Sequence, residues 1–227
     1  WKAGLRCGIA TTVAPDPDNA RDREQNMPSL AMQKTNQPKS SWRVIDIVIA
    51  SVLGVACGLI FIVWNSIGYA WTTAFHALTP GFGGIAIGIW LLGGVLGGLV
   101  IRKPGAAIFV EVVAACVSAV LASQFGISTI YSGLAQGIGA EIIFALFLYR
   151  RYSLPTTMLA GMGAGGGAIF LEMFFYGNLA KTMSFNIIYS TTVLISGAIL
   201  AGLLSWYLVR ALARTGALDR FAAGREV

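Results

Sequence analysis

Three carboxylates stand inside long apolar runs of this chain: Glu111, Glu141 and Glu172. A charge in hydrocarbon costs at least ~2.5 kcal/mol even on the mildest scale, so such groups face a cavity, pair with one another or stay protonated. No lysine or arginine is buried within the same runs to neutralise them, Arg150 only ending one of them. An amine-bearing or cationic ligand is then the simplest partner. Aromatic and amide residues accompany the carboxylates: Trp64 and Asn65 close one run, Trp90 lies near the middle of the next, Gln124 ends a third, and Gln136 precedes Glu141 in the fourth. Aromatic walls with a few convergent polar groups describe a small-molecule pocket. The bland alternatives are a protonated glutamate bonded across helices and tryptophans that serve as interface belt or packing. Trp90, placed away from either interface, fits the belt least well.

Other patterns are weaker. His76 is a lone histidine without the partners a metal site needs, and Cys7, Cys57 and Cys116 show no CxxC spacing. The glycine run from Gly161 to Gly167 lacks the Lys-Ser/Thr of a P-loop and lies in an apolar segment rather than after a strand. No ATPase is visible in the chain, and neither a metal nor another cofactor is expected in it.

The elements that must position these residues are membrane helices. Charged residues are 11% of the 227 and hydrophobic ones 56%, whereas a soluble domain is about one quarter charged. Between Asp46 and Arg102 no formally charged side chain occurs. That excludes an ordinary cytosolic enzyme. From position 43 the hydropathy resolves into six segments, at 43 to 66, 81 to 101, 104 to 124, 128 to 150, 155 to 178 and 186 to 210, each near the ~20 residues that cross a bilayer. Pro104 and Pro155 follow the basic pairs Arg102-Lys103 and Arg150-Arg151 and mark helix starts. These short connections make segments 2 and 3, and 4 and 5, antiparallel neighbours. With both termini cytoplasmic, nine of the ten basic residues beyond position 40 fall inside and only Lys181 outside. The formal charge of +6 is thus a record of topology rather than a nucleic-acid surface. The expected fold is an all-α, six-helix integral membrane protein.

Residues 1–40 read as a polar, disordered cytoplasmic tail, 41–214 as the membrane domain and 215–227 as a short polar cytoplasmic tail. The first tail has no apolar run with a small-residue cleavage site, so no cleaved signal is expected; Met27 and Met32 are candidate start residues. Residues 67 to 80 read as an aromatic outer loop, either an interfacial anchor or a lid. By a rise of 1.5 Å per residue Glu111 and Glu141 fall within ~3 Å of the same depth and could share a cavity. Small residues at four-residue spacing (Ala50, Gly54 and Gly58; Gly93 with Gly97; Gly133 with Gly137; Gly161 with Gly165) permit close helix approach.

Several separated stretches resemble one family. They are Trp42-Arg43-Val44-Ile45-Asp46, Trp64-Asn65, the junction Ile101-Arg102-Lys103-Pro104-Gly105-Ala106-Ala107 leading to Glu111, and Gln136-Gly137-Ile138-Gly139-Ala140-Glu141 leading to Tyr149-Arg150-Arg151. In this order they resemble the YkoE family, substrate-binding S components of energy-coupling factor (ECF) transporters associated with thiamine or its hydroxymethylpyrimidine (HMP) precursor. The resemblance covers roughly residues 41 to 214. It implies a six-helix S-component bundle in the plasma membrane, a ligand site toward the outer face, and a T component with two cytoplasmic ATPases that use the ATP. It further implies that Ala50, Gly54 and Gly58 on helix 1 meet the T component. On this reading Trp64 and Trp90 stack on the ligand ring while Asn65, Glu111, Gln136 and Glu141 bind its amine and ring nitrogens, with Glu172 the alternative contact. The chain would bind and deliver a vitamin rather than catalyse a reaction. The rival readings are an autonomous proton- or cation-coupled transporter using Glu111 and Glu141 as a relay, and a ligand-free membrane scaffold.

Overall fold

Both prolines punctuate the chain as expected. Pro155 sits in the first turn of its helix, and Pro104 lies two residues before the helix that begins at Ala106. The computed structural model describes residues 41–122 and 125–224, so the N-terminal tail, Gln124 and the last three residues lie outside the described part. The described residues are all-helical: α1 (Val44–Leu78), a 3-10 segment (Phe82–Leu91) running into α2 (Leu92–Ile101), α3 (Ala106–Ala122), α4 (Ser128–Leu146), α5 (Leu154–Phe174), and α6 (Met183–Ser196) continued through a π segment (Gly197–Leu203) into α7 (Leu204–Arg214). Five of these runs are long and apolar enough to cross a membrane. The sixth, α3, has 17 residues and so spans about 26 Å of a hydrocarbon core ~30 Å thick.

Two elements differ from expectation. Residues 67 to 78, expected as loop, continue α1 to a length of 35 residues. Ile67-Gly68-Tyr69-Ala70-Trp71-Thr72 holds no proline, and the cost of Gly68 alone does not end the helix; the stop comes from Pro80, which forces Thr79 into extended backbone (φ −147°, ψ 120°). The first half of segment 2 is a 3-10 helix of 10 residues, far longer than the usual three or four. Side chains from its neighbours take up backbone groups there. The Trp64 indole donates to the Ala86 carbonyl (3.0 Å), Ser196 Oγ donates to the Ile85 carbonyl (2.6 Å), and the Gly88 N–H donates back to Ser196 Oγ (2.9 Å).

Helix α2 is the axis of the bundle: every residue from Leu91 to Ile101 is buried. Around it α1 packs on α3, α3 on α4 and α4 on α5. The end that carries Arg43, Arg102, Lys103, Arg150 and Arg214 is tied by side chains. The Asp46 carboxylate accepts from the Arg43 N–H (2.7 Å), the Arg43 guanidinium (3.2 Å) and Lys103 Nζ (2.5 Å), and the Trp42 indole donates to the Pro104 carbonyl (2.9 Å). Arg102 lies over the Tyr152 ring at 4.6 Å. The stretch that follows α7, expected as polar tail, docks Leu218, Phe221 and Ala223 into the core.

The small-residue stripe on α1 also lies elsewhere than expected. Ala50, Gly54 and Gly58 are buried, and a Cβ on Gly54 or Gly58 would come within 2.7 Å of Val113 or Val117 on α3. Their smallness is spent on α1–α3 packing inside this chain, which corrects the expectation that they meet a T component. The side of α1 that remains open carries Val48, Val52, Val55, Leu59 and Val63 instead.

Candidate functional site

Glu111 is fully buried midway along the bundle. One carboxylate oxygen, Oε2, accepts the Gly94 N–H at 2.5 Å. That contact exists because Gly93 and Gly94 present bare backbone to α3. The other oxygen, Oε1, faces the Gln136 amide. In the amide orientation that satisfies every neighbour, Gln136 donates to Glu111 Oε1 (3.3 Å) and to the Trp90 carbonyl (3.0 Å) and accepts from Ser132 Oγ (2.7 Å). Trp90 itself is aimed by Asn65, whose Oδ1 accepts the indole N–H (2.8 Å) while its Nδ2 donates to Ser118 Oγ (2.9 Å).

These groups form one end of a cavity of about 290 Å³, roughly the lower size for a small-molecule site. Its aromatic wall is made by Phe61, Tyr69, Trp90, Phe125, Phe185 and Tyr189. The opposite end holds Glu172, which accepts from Asn178 Nδ2 (3.2 Å) and from the Tyr189 hydroxyl. Beside it His76, Phe185 and Tyr189 form a stack, with ring centroids 5.5 Å apart for His76–Phe185 and 5.8 Å for Phe185–Tyr189. The His76 imidazole accepts the Gly81 N–H through Nδ1 (3.2 Å), so its second nitrogen carries the proton in the neutral form.

Of the expected ligand contacts, Asn65, Trp90, Glu111, Gln136 and Glu172 are brought together on this cavity. Trp64 and Glu141 do not line it. The Trp64 ring packs edge-on behind Trp90 at 6.3 Å, so it supports the wall rather than forming it. Glu141 lies about one helical turn nearer the basic end than Glu111, because the register of α4 on α3 sets Gly137 against Ile108 and Glu111 and so carries Glu141 to Gly105 and Ala107. Its carboxylate accepts from the Gly105 N–H (2.6 Å), the Ala107 N–H (3.0 Å) and the Tyr149 hydroxyl (2.7 Å). It therefore caps the N-terminus of α3, where donors are otherwise orphaned. Burial and the Glu141 carboxylate push the Tyr149 hydroxyl above its ordinary value, which keeps it a donor. A shared Glu111–Glu141 cavity is thus corrected: Glu111 lines the cavity and Glu141 caps α3. Glu141→Ala should lower stability by about 1–3 kcal/mol through three lost acceptor contacts while leaving ligand affinity within about twofold. Thermal melts and calorimetry on the same variant check both halves of that expectation.

Sequence reasoning missed His76, Asn178, Lys181 and Tyr189 as cavity residues. The signal for Lys181 was present, since it is the one basic residue that topology does not explain.

Residues 45–167 match the family described as the permease component of an ABC-type cobalt transport system. A relative from Bacillus subtilis (strain 168), named "Putative HMP/thiamine permease protein YkoE", is 37% identical over 191 residues, 82% of this chain and 92% of its own. A solved structure described as the crystal structure of an S-component of ECF transporter superposes with a TM-score of 0.70 at 34% identity, over 82% of this chain and 93% of that one. The chain therefore belongs to the YkoE family of ECF-transporter S components, multi-pass transport proteins of the plasma membrane rather than enzymes.

Proposed function

We propose that this protein captures thiamine or its HMP moiety from outside the cell and delivers it to a T component driven by two separate ATPases, which consume the ATP. The observation that carries the reading is the Glu111–Gln136 pair beside the Trp90 ring on a cavity walled by aromatic residues. An aminopyrimidine has a flat face and an exocyclic amine. Its amine suits Glu111 Oε1, and its face suits Trp90. The name of the Bacillus relative points the same way. Orientation is argued from charge: Arg43, Arg150, Arg151 and Arg214 are exposed at one end, which puts that end in the cytoplasm and the Glu172 end of the cavity outside.

Calorimetry on the purified chain should show saturable binding of thiamine or HMP. Trp90→Ala should weaken it by roughly 5- to 150-fold, the range for stacking a base on an aromatic ring (about 1–3 kcal/mol). Because the matching family is described by cobalt, the same titration is run with Co²⁺. Cobalt binding without either organic ligand would overturn the reading. Liposomes that hold this chain alone should accumulate no ligand, and addition of the T component and ATPases with ATP should start uptake; uptake by the chain alone would favour an autonomous transporter.

A further inference from the structure

Among the described residues, eight of nine lysines and arginines lie at the basic end of the bundle or one turn from it, and Lys181 alone lies at the other. Topology accounts for the eight. It does not account for Lys181, which lines the cavity. Its ammonium rests over the Phe185 ring at 4.3 Å. Among the described residues no carboxylate makes an ion pair with it within 4 Å, although its charge acts on the neighbouring Glu172. The Glu172 carboxylate accepts instead from Asn178 Nδ2 at 3.2 Å, beside the Tyr189 ring. A cation held on an aromatic face at a cavity wall keeps its N–H donors free for a ligand.

The two ends of the cavity can be placed relative to each other. Across the antiparallel α4–α5 contact, Gly139 meets Gly163 and Ala135 meets Gly167. The same register sets Glu172 level with Ile130, six residues from Gln136, or about 9 Å along the helix. One heteroaromatic ring does not bridge that separation; a ligand with a second ring or an extended arm does. Its near end meets the acceptor Glu111, and its far end reaches the donor Lys181.

We propose that Lys181 is a specificity-determining residue that receives an anionic oxygen terminus, so that the cavity prefers a phosphate monoester of its ligand over the free alcohol. This inference rests on the thiamine-class reading of the same cavity. An ammonium gives a phosphate charge-assisted hydrogen bonds that a hydroxyl cannot match. Its position away from the other cations also lets it draw an anion toward this end of the cavity.

The experiment is calorimetry on the full chain in nanodiscs of neutral lipid, with thiamine, thiamine monophosphate, HMP and HMP phosphate as titrants. Each phosphate ester should bind about tenfold tighter than its alcohol. Lys181→Gln should abolish that ratio while leaving the alcohols within about twofold, and Lys181→Arg should preserve it. Alcohols that bind as well as their esters overturn the Lys181 inference alone. Equal weakening of all four ligands in Lys181→Gln also overturns it, because Lys181 would then be only a counter-charge for Glu172. If none of the four binds the unaltered protein, the thiamine-class reading fails, and the inference fails with it.

Discussion

Glu111→Ala is expected to abolish measurable capture of a thiamine-class ligand, with affinity falling by roughly 30- to several-thousandfold. The range follows from the ~2–5 kcal/mol lost when one member of a buried, hydrogen-bonded charged contact is truncated, at 1.4 kcal/mol per factor of ten. Glu111 is buried at 0% exposure, and a water filling its place in the cavity would not give an amine the same charge-capable, fixed acceptor. Its two oxygens have different duties: Oε2 is spent on the Gly94 N–H, and Oε1 faces the cavity with Gln136. Glu111→Gln keeps an acceptor for Gly94 but can no longer ionise against an amine, and it brings a second amide against Gln136. It should fold like the parent and still lose most of the affinity. Calorimetry beside ligand-free thermal melts separates the two effects. An alanine variant that melts normally and binds normally would remove Glu111 from the site, and with it the reason for reading the ligand as an amine.

What made Glu111 legible was its cost. A carboxylate in an apolar run announces itself, and two of the three such residues, Glu111 and Glu172, line the cavity. Sequence could not assign their separate duties, because depth along a helix depends on where the helix ends. Helix α4 ends at Leu146, where Leu148 and Tyr149 turn left-handed with φ 53° each, and its register on α3 sets Glu141 against the Gly105 and Ala107 N–H groups rather than beside Glu111. The small-residue stripe Ala50-Gly54-Gly58 was legible as a contact surface but silent about its partner, since a smooth face suits an internal helix and an external one equally. The 3-10 segment left no sequence signal beyond Gly81, Gly83, Gly84 and Gly88, because its geometry is held by side chains from α1 and α6 that are distant in sequence. The far end of the cavity was hidden for a related reason. Once residues 67 to 78 are read as loop, Tyr69, Thr72 and His76 have no fixed direction, whereas on a continuous helix they line one wall with Asn65.

A second large effect concerns the glycines that let α4 and α5 touch. A Cβ on Gly163 would lie 2.5 Å from both the Gly139 carbonyl and Ile143 Cγ1, and a main-chain carbonyl cannot rotate aside as a side chain can. Gly163→Val must therefore push the two helices apart. In a membrane that separation is costly, because apolar burial gives no drive for association and close packing supplies much of it. Overpacking alone costs about 1–3 kcal/mol. Ser132, Gly133 and Gln136 all lie on α4 and line the cavity, so their displacement should carry the Glu111 site with it. Gly163→Val is expected to lower the melting temperature sharply and to weaken ligand binding in whatever fraction stays folded. The matched control is Gly166→Ala in the same helix, where an added Cβ meets nothing within 4 Å. That change should be neutral or stabilising by up to ~1 kcal/mol, because alanine has less backbone freedom to lose than glycine. Equal melting temperatures for the two variants would mean that the α4–α5 contact is not what sets the spacing of the site.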